Sequence, residues 1–218
     1  MKTDLRNKIK ICGITREEDA YMCAELGFGA IGFVFYRPSP RYISPEKTLH
    51  ILRGVRKDFP AIRAVGVFVD EEPKSLLSIA ETAQLDVVQL HGNEKMENYD
   101  IIISKFSKIV KVARSLEDGR QIAKKFPEHV AILLECSTGD LPGGNGARWN
   151  WAKTADLRKV CKHCIGIAGG LQPSNFLYAA AVSQADFFDL SSGVECAPGI
   201  KNYDELRKLA EIAGEKTL

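Results

Sequence analysis

Eight short apolar runs, each followed by an amphipathic segment, fill this chain and constrain its fold more than any other feature. Residues 9–12 form the first run and residues 16–26 the helical stretch after it, with Thr15 and Glu18 spaced as a capping box. Residues 29–35 read as a buried strand, and a helix over 45–57 is entered from Ser44 with proline at its first position. The pairing recurs as 64–69 with 73–83, 87–90 with 94–104, and 109–113 with 115–126. A glycine-rich loop over 137–148 separates strand 130–134 from its helix, 153–160. Strand 164–168 with helix 173–181 makes the seventh pair. Strand 187–190 with helix 202–213 makes the eighth, across a loop containing Pro198 and Gly199.

Eight strand–helix pairs with no linker composition between them predict an α/β chain folded as one (β/α)8 TIM barrel over residues 1–218. A doubly wound open sheet is the structural rival. It usually has fewer strands, and its nucleotide-binding form carries a glycine-rich turn after the first strand. Only Gly13 stands there, so the dinucleotide fingerprint is absent.

Hydrophobic residues make up 45% of the 218 and charged residues 27%, enough for one substantial core in a soluble globular protein. The longest apolar runs, 30–35 and 61–69 with its Arg63, are strand-sized. A membrane helix needs roughly 20 apolar residues in a row. The segment MKTDLRNK has no apolar run before a small-residue cleavage site, which argues against secretion. Net charge is +2 with lysines and arginines interspersed among acids, which argues against a nucleic-acid partner. Six cysteines are too sparse for a disulfide scaffold, and Cys12 and Cys23 sit inside regular segments. Together these features predict a cytoplasmic protein without a membrane partner. Whether it is a monomer or a homodimer stays open.

In a barrel the active site lies at the carboxyl ends of the strands. There the sequence places Cys12, then Arg37 and Arg41, Asp70, Gln89 and His91, Arg114, Glu135, and finally Asp189 with Ser191 and Ser192. Gly169-Gly170 follows the seventh strand and Ser192-Gly193 the eighth. Without covering side chains, the N–H groups of two adjacent loops can converge on a phosphate. Tight turning is the bland reading of each pair taken alone. The stretch 142–146, Pro-Gly-Gly-Asn-Gly, suits a loop that closes over bound substrate, or an uninvolved surface loop.

Cys12 and Glu135 stand as a candidate base and acid. A thiol becomes a useful base where a positive group or converging N–H donors lower its pKa; taken alone, Cys12 reads first as a small buried hydrophobe. A carboxylic acid kept partly protonated by burial can deliver a proton from the other side of a small substrate. Asp189 can orient a substrate hydroxyl or hold its loop, and His91 can carry a proton or hydrogen-bond the rim. Cys161-Lys162-His163-Cys164 has metal-like spacing, but no second pair completes a zinc site and Cys164 begins a strand at the opposite end. Trp149 and Trp151 read as anchors for the end of the long loop.

The segments KICGITREEDA, AIGFVFYRPSPRYISPE, VGVFVD, VVQLHG, LPGGNGARWNW, IAGGLQPSNF and FDLSSGVECAPGIKN run through nearly the whole chain. In these the sequence resembles the phosphoribosylanthranilate isomerase family of tryptophan biosynthesis. The resemblance implies a small barrel that performs an Amadori rearrangement of a phosphorylated aminosugar, with no metal or organic cofactor. It implies Cys12 as general base, Arg41 as the contact to the anthranilate carboxylate, and the glycines of IAGG and SSGVE as the phosphate loops. The family pattern after the sixth strand is Leu-Leu-Asp, whereas this chain has Leu-Leu-Glu135, with Cys136 beside it and Asn145 where threonine is usual. One extra methylene can misplace a proton by roughly 1 Å, a displacement that can cost about 100-fold in rate. A paralogue acting on a different phosphorylated aminosugar, or a catalytically silent phosphate-ligand-binding barrel, are the alternatives. Retention of Arg41 argues against the first and retention of Cys12 against the second.

Overall fold

The computed structural model describes residues 4–135 and 150–214. Eight parallel strands close into a barrel in chain order, with β8 paired to β1. They are β1 (Ile9–Cys12), β2 (Ala30–Val34), β3 (Arg63–Phe68), β4 (Val87–Leu90), β5 (Ile109–Ala113), β6 (Val130–Leu134), β7 (Ile165–Ile167) and β8 (Phe187–Leu190). The helices between and after them are α1 (Glu17–Glu25), α2 (Pro45–Asp58), α3 (Pro73–Thr82), α4 (Met96–Lys105), α5 (Leu116–Lys125), α6 (Thr154–Arg158), α7 (Pro173–Ser183) and α8 (Tyr203–Gly214). The predicted (β/α)8 architecture is the observed one. Among the described residues no helix is long and apolar enough to cross a membrane.

Local chemistry explains the helix starts. α2, α3 and α7 each begin on a proline, whose missing N–H would be unpaired at that position anyway. Ser44 accepts from the Lys47 amide at 3.2 Å, Glu72 from Ser75 at 3.0 Å, and Ser115 from Asp118 at 3.0 Å. Strand alternation then divides the side chains. Ile9 and Ile11 join the main core between sheet and helices, while Lys10 and Cys12 turn into the barrel.

Small side chains fill much of the barrel interior. Ala30, Val65 and Val87 form one cluster near the amino ends, and Val112, Leu133 and Ala168 another. A polar layer lies across the middle: the Lys10 ammonium donates to Asp189 Oδ2 at 2.7 Å and to Gln89 Oε1 at 2.9 Å. This layer divides the interior. A cavity of about 430 Å³ opens at the amino ends and one of about 230 Å³ at the carboxyl ends, and Gln89 borders both.

Three local expectations give way to longer-range contacts. Thr15 does not close a capping box: α1 is capped at Arg16, and the Thr15 hydroxyl donates instead to the Gly199 carbonyl at 2.6 Å. α4 starts at Met96 rather than residue 94, because Glu94 is drawn inward. Its carboxylate accepts from the amides of Asp70 (3.0 Å) and Gly92 (2.8 Å) and from Lys111 (2.7 Å). The loop with Pro198 and Gly199 is a hairpin of β9 (Glu195–Ala197) and β10 (Ile200–Lys201), turning where Gly199 has φ +79°. Its two ends reach the site described next.

Candidate active site

Cys12 stands at the end of β1, where the chain turns through Gly13 at φ +80° and both Gly13 and Ile14 donate to the Gly32 carbonyl at 2.9 Å. The Cys12 carbonyl is held from two sides, by Lys201 Nζ at 2.5 Å and Ser191 Oγ at 3.2 Å. The thiol is partly exposed in the cavity at the carboxyl ends. Burial pushes it above the ordinary thiol range, and the Lys10 ammonium is the main influence acting the other way. The positive group that the sequence reading asked for is therefore present in Lys10, and burial outweighs it.

Glu135 follows β6, on the wall of the same cavity. Its amide donates to the Ala113 carbonyl at 2.9 Å, and its Oε2 lies 3.0 Å from His91 Nε2. Of the two readings of His91, the structure thus provides a polar partner for it within the site rather than on the outer rim. Asp189, on β8, faces the cavity with Oδ2 bound to Lys10. Asp189 Oδ1 is buried with no hydrogen-bond partner among the described residues, an acceptor in need of a donor.

Arg41 lines the same cavity as Cys12. Its Nε and Nη2 are committed to Glu195, at 3.1 Å and 2.6 Å. Glu195 also accepts from Lys201 at 2.7 Å. Burial alone would raise the Glu195 carboxyl; the hydrogen bonds from Arg41 and the charge of Lys201 outweigh it and hold the group below the usual carboxylate range. A carboxyl depressed on folding stabilises above its unfolded pKa of about 4.3, and that contribution is lost as pH falls through the folded value. Glu195→Gln leaves the buried Lys201 and the half-buried Arg41 facing a neutral amide and is expected to cost about 3–5 kcal/mol at pH 7. Urea unfolding checks this; a loss of about 0.5 kcal/mol or less would mean that solvent already screens the cluster.

The glycine loops after β7 and β8 meet. Gly169 and Gly170, at φ +82° and +68°, form part of the cavity wall together with Ser191 and Ser192. Gly193 stands behind that wall: a Cβ there would lie 1.9 Å from the Leu171 carbonyl oxygen, so only glycine lets the loops approach. The amides of Gly170, Ser192 and Gly193 donate to no protein acceptor among the described residues, which leaves them available to an anion.

Other strand-end groups have different work. The Arg37 guanidinium lies 5.4 Å from the centre of the Tyr42 ring. Asp70 accepts from the Asn93 amide at 2.6 Å, and Arg114 donates to the His91 carbonyl at 3.1 Å. None of the three is on the cavity wall. His163 has Nδ1 2.8 Å from the Val130 carbonyl and Nε2 3.3 Å from that of Ala123, which ties it into the barrel frame. Trp151 is buried with its ring edge-on to Tyr178. Cys136, the stretch 142–146 and Trp149 lie outside the described residues.

Sequence reasoning passed over Lys10, Glu195 and Lys201. The signal for Lys10 was a charge in a four-residue apolar strand, two positions from Cys12 and so on the same face. For the other two it was Pro198-Gly199, a turn dipeptide that folds its flanks back together.

Comparisons with known proteins bear on the family and the fold. Residues 9–212 match the family model described as N-(5'phosphoribosyl)anthranilate (PRA) isomerase. The N-(5'-phosphoribosyl)anthranilate isomerase of Thermotoga maritima is 39% identical over 94% of this chain and 98% of its own length. A crystal structure of the phosphoribosyl anthranilate isomerase of that organism superposes with a TM-score of 0.84, at 35% identity over 94% of this chain and 98% of that one. A second solved structure, of an isomerase in complex with reduced 1-(o-carboxyphenylamino)-1-deoxyribulose 5-phosphate, has a TM-score of 0.80. It is 33% identical over 94% of this chain and 97% of that one.

Proposed function

This chain belongs to the N-(5'-phosphoribosyl)anthranilate isomerase family, and from that membership we propose that Cys12 and Glu135 are the base and acid of its reaction. The enzyme catalyses the Amadori rearrangement of N-(5'-phosphoribosyl)anthranilate to 1-(2-carboxyphenylamino)-1-deoxyribulose 5-phosphate, in tryptophan biosynthesis. The observation carrying the residue assignment is the placement of a thiol, a carboxyl and two glycine loops on one cavity.

In the proposed sequence the phosphate sits against the amides of Gly170, Ser192 and Gly193, in the loops that also contain Gly169. Arg41 takes the anthranilate carboxylate through the edge that Glu195 leaves open. Glu135, paired with His91, protonates the ribose ring oxygen; the ring opens as the anthranilate nitrogen forms an iminium at C1. The Cys12 thiolate then removes the C2 proton, and the electron pair moves into the iminium to give an enolamine. Return of a proton to C1 with loss of the enol proton completes the ketone. The iminium makes the C2 proton acidic, so the protein has only to hold the proton carriers in place. Asp189 Oδ1 accepts a sugar hydroxyl and so gains the donor it lacks.

The test is the loss of phosphoribosylanthranilate fluorescence with purified enzyme, scored against product formation. We expect turnover in the ordinary enzyme range, 1–10³ per second. Turnover of another phosphorylated aminosugar in its place, or binding without turnover, would overturn the reading.

A further inference from the structure

Lys10 takes no part in the proton transfers above, yet its ammonium occupies the middle of the barrel. Lys10 and Cys12 point the same way from β1. Gly32 on β2 stands opposite Cys12 in the sheet register. A Cβ at Gly32 would lie 2.6 Å from Lys10 Cε and 2.9 Å from Cys12 Sγ. The side chain missing from Gly32 is therefore the space in which the lysine and the sulfur come together.

Resting on the assignment of Cys12 as base, we propose that Lys10 is a positioning residue whose ammonium supplies the positive charge against which the Cys12 thiolate forms. Asp189 and Gln89 fix where that charge stands, by the two hydrogen bonds they accept. In a polar layer this buried, a unit charge acts more strongly than it would in water.

The other charged groups around the thiol are differently disposed. Asp189, from β8, opposes the thiolate. Lys201, from β10, binds the Cys12 carbonyl rather than the sulfur and shares its charge with Glu195. Arg41, from the loop after β2, is held by the same Glu195. Glu135 and His91 face the cavity as a pair. Lys10 packs against the point that the sulfur also touches. Burial works against its ammonium, but Asp189 and Cys12 outweigh that and keep the amine above its ordinary value, so it carries its charge while the base works.

The experiment follows iodoacetamide alkylation of Cys12 in the free enzyme across pH, read by mass spectrometry of the Cys12 peptide. This resolves it from the other cysteines, of which Cys23 is fully buried and pushed up to about 12. Lys10→Met is expected to slow Cys12 alkylation at pH 7 by about 10-fold and move its pH profile upward. Asp189→Asn is expected to do the opposite, because it removes a negative charge that opposes the thiolate, while the thiolate itself still favours the charged ammonium. Lys10→Met leaves Asp189 unpaired; should it not fold, Lys10→Met/Asp189→Asn removes both charges and is compared with Asp189→Asn alone, with the same 10-fold slowing expected.

An unchanged profile in the lysine variants, or a shift in the same direction for Lys10→Met and Asp189→Asn, would overturn the proposal. The second pattern is what mere loosening of the barrel layer gives. Failure of the base assignment looks different: Cys12→Ala would keep its turnover whatever the alkylation profiles show.

Discussion

Cys12→Ala is expected to lower turnover by about 10²–10⁴-fold, the usual worth of a positioned general base. Inorganic phosphate should still bind with wild-type affinity. The two results separate because the structure separates their causes. The contacts that fix the end of β1 are made by the Cys12 carbonyl, to Lys201 and Ser191, and alanine keeps that carbonyl. The glycine loops meet each other at Leu171 and Gly193 without help from the thiol. Steady-state kinetics and calorimetric titration with inorganic phosphate check the two halves. Turnover at the wild-type rate would remove Cys12 from the mechanism, and loss of phosphate binding would mean that the variant disturbs the loops. Because burial raises the thiol, kcat/KM at low substrate should climb as pH rises through the thiol titration. That dependence should vanish in the residual activity of Cys12→Ala.

Much of this arrangement was legible in the sequence because it follows from local pattern. Five strands have the bounds that apolar runs predicted, 9–12, 87–90, 109–113, 130–134 and 187–190, and barrel closure then carries their polar ends to one face. What escaped was settled by partners distant in the chain. Glu94 reads as the first turn of a helix until Lys111 and the Asp70 amide draw it inward. Thr15 reads as a cap until the hairpin brings Gly199 within reach. Lys10 looks like an interruption of a strand, and only its pairing with Asp189, across the seam that closes the barrel, makes it part of the site. Glu195 and Lys201 belong to a hairpin whose turn was visible but whose destination was not. Periodicity reports the face of an element; it does not report which buried charges meet there.

Glu135→Gln is expected to reduce turnover by about 100-fold or more, and Glu135→Asp to preserve or raise it. The amide keeps the shape of the side chain but has no acidic proton to give the ring oxygen. The aspartate keeps the proton and shortens its reach. The structure shows where the extra methylene goes: from the end of β6 the carboxyl extends to His91, with Oε2 3.0 Å from Nε2. The backbone beneath it is anchored by the Glu135 amide to Ala113, so the longer side chain is accommodated by its own reach rather than by a displaced strand. His91 thereby holds the longer carboxyl in one orientation, and a proton held within a fraction of an ångström of its target is worth more than a mobile one. With aspartate the pairing to His91 loosens, but the carboxyl returns to the position that the Leu-Leu-Asp pattern implies. His91→Asn sharpens the reading: it should slow the glutamate enzyme more than it slows Glu135→Asp, because only the longer side chain needs the imidazole to orient it. Steady-state kinetics on wild type, the three single variants and the Glu135→Asp/His91→Asn double variant check the set. Full activity in Glu135→Gln would transfer the acid role to another group on the cavity wall, with Asp189 the nearest in kind.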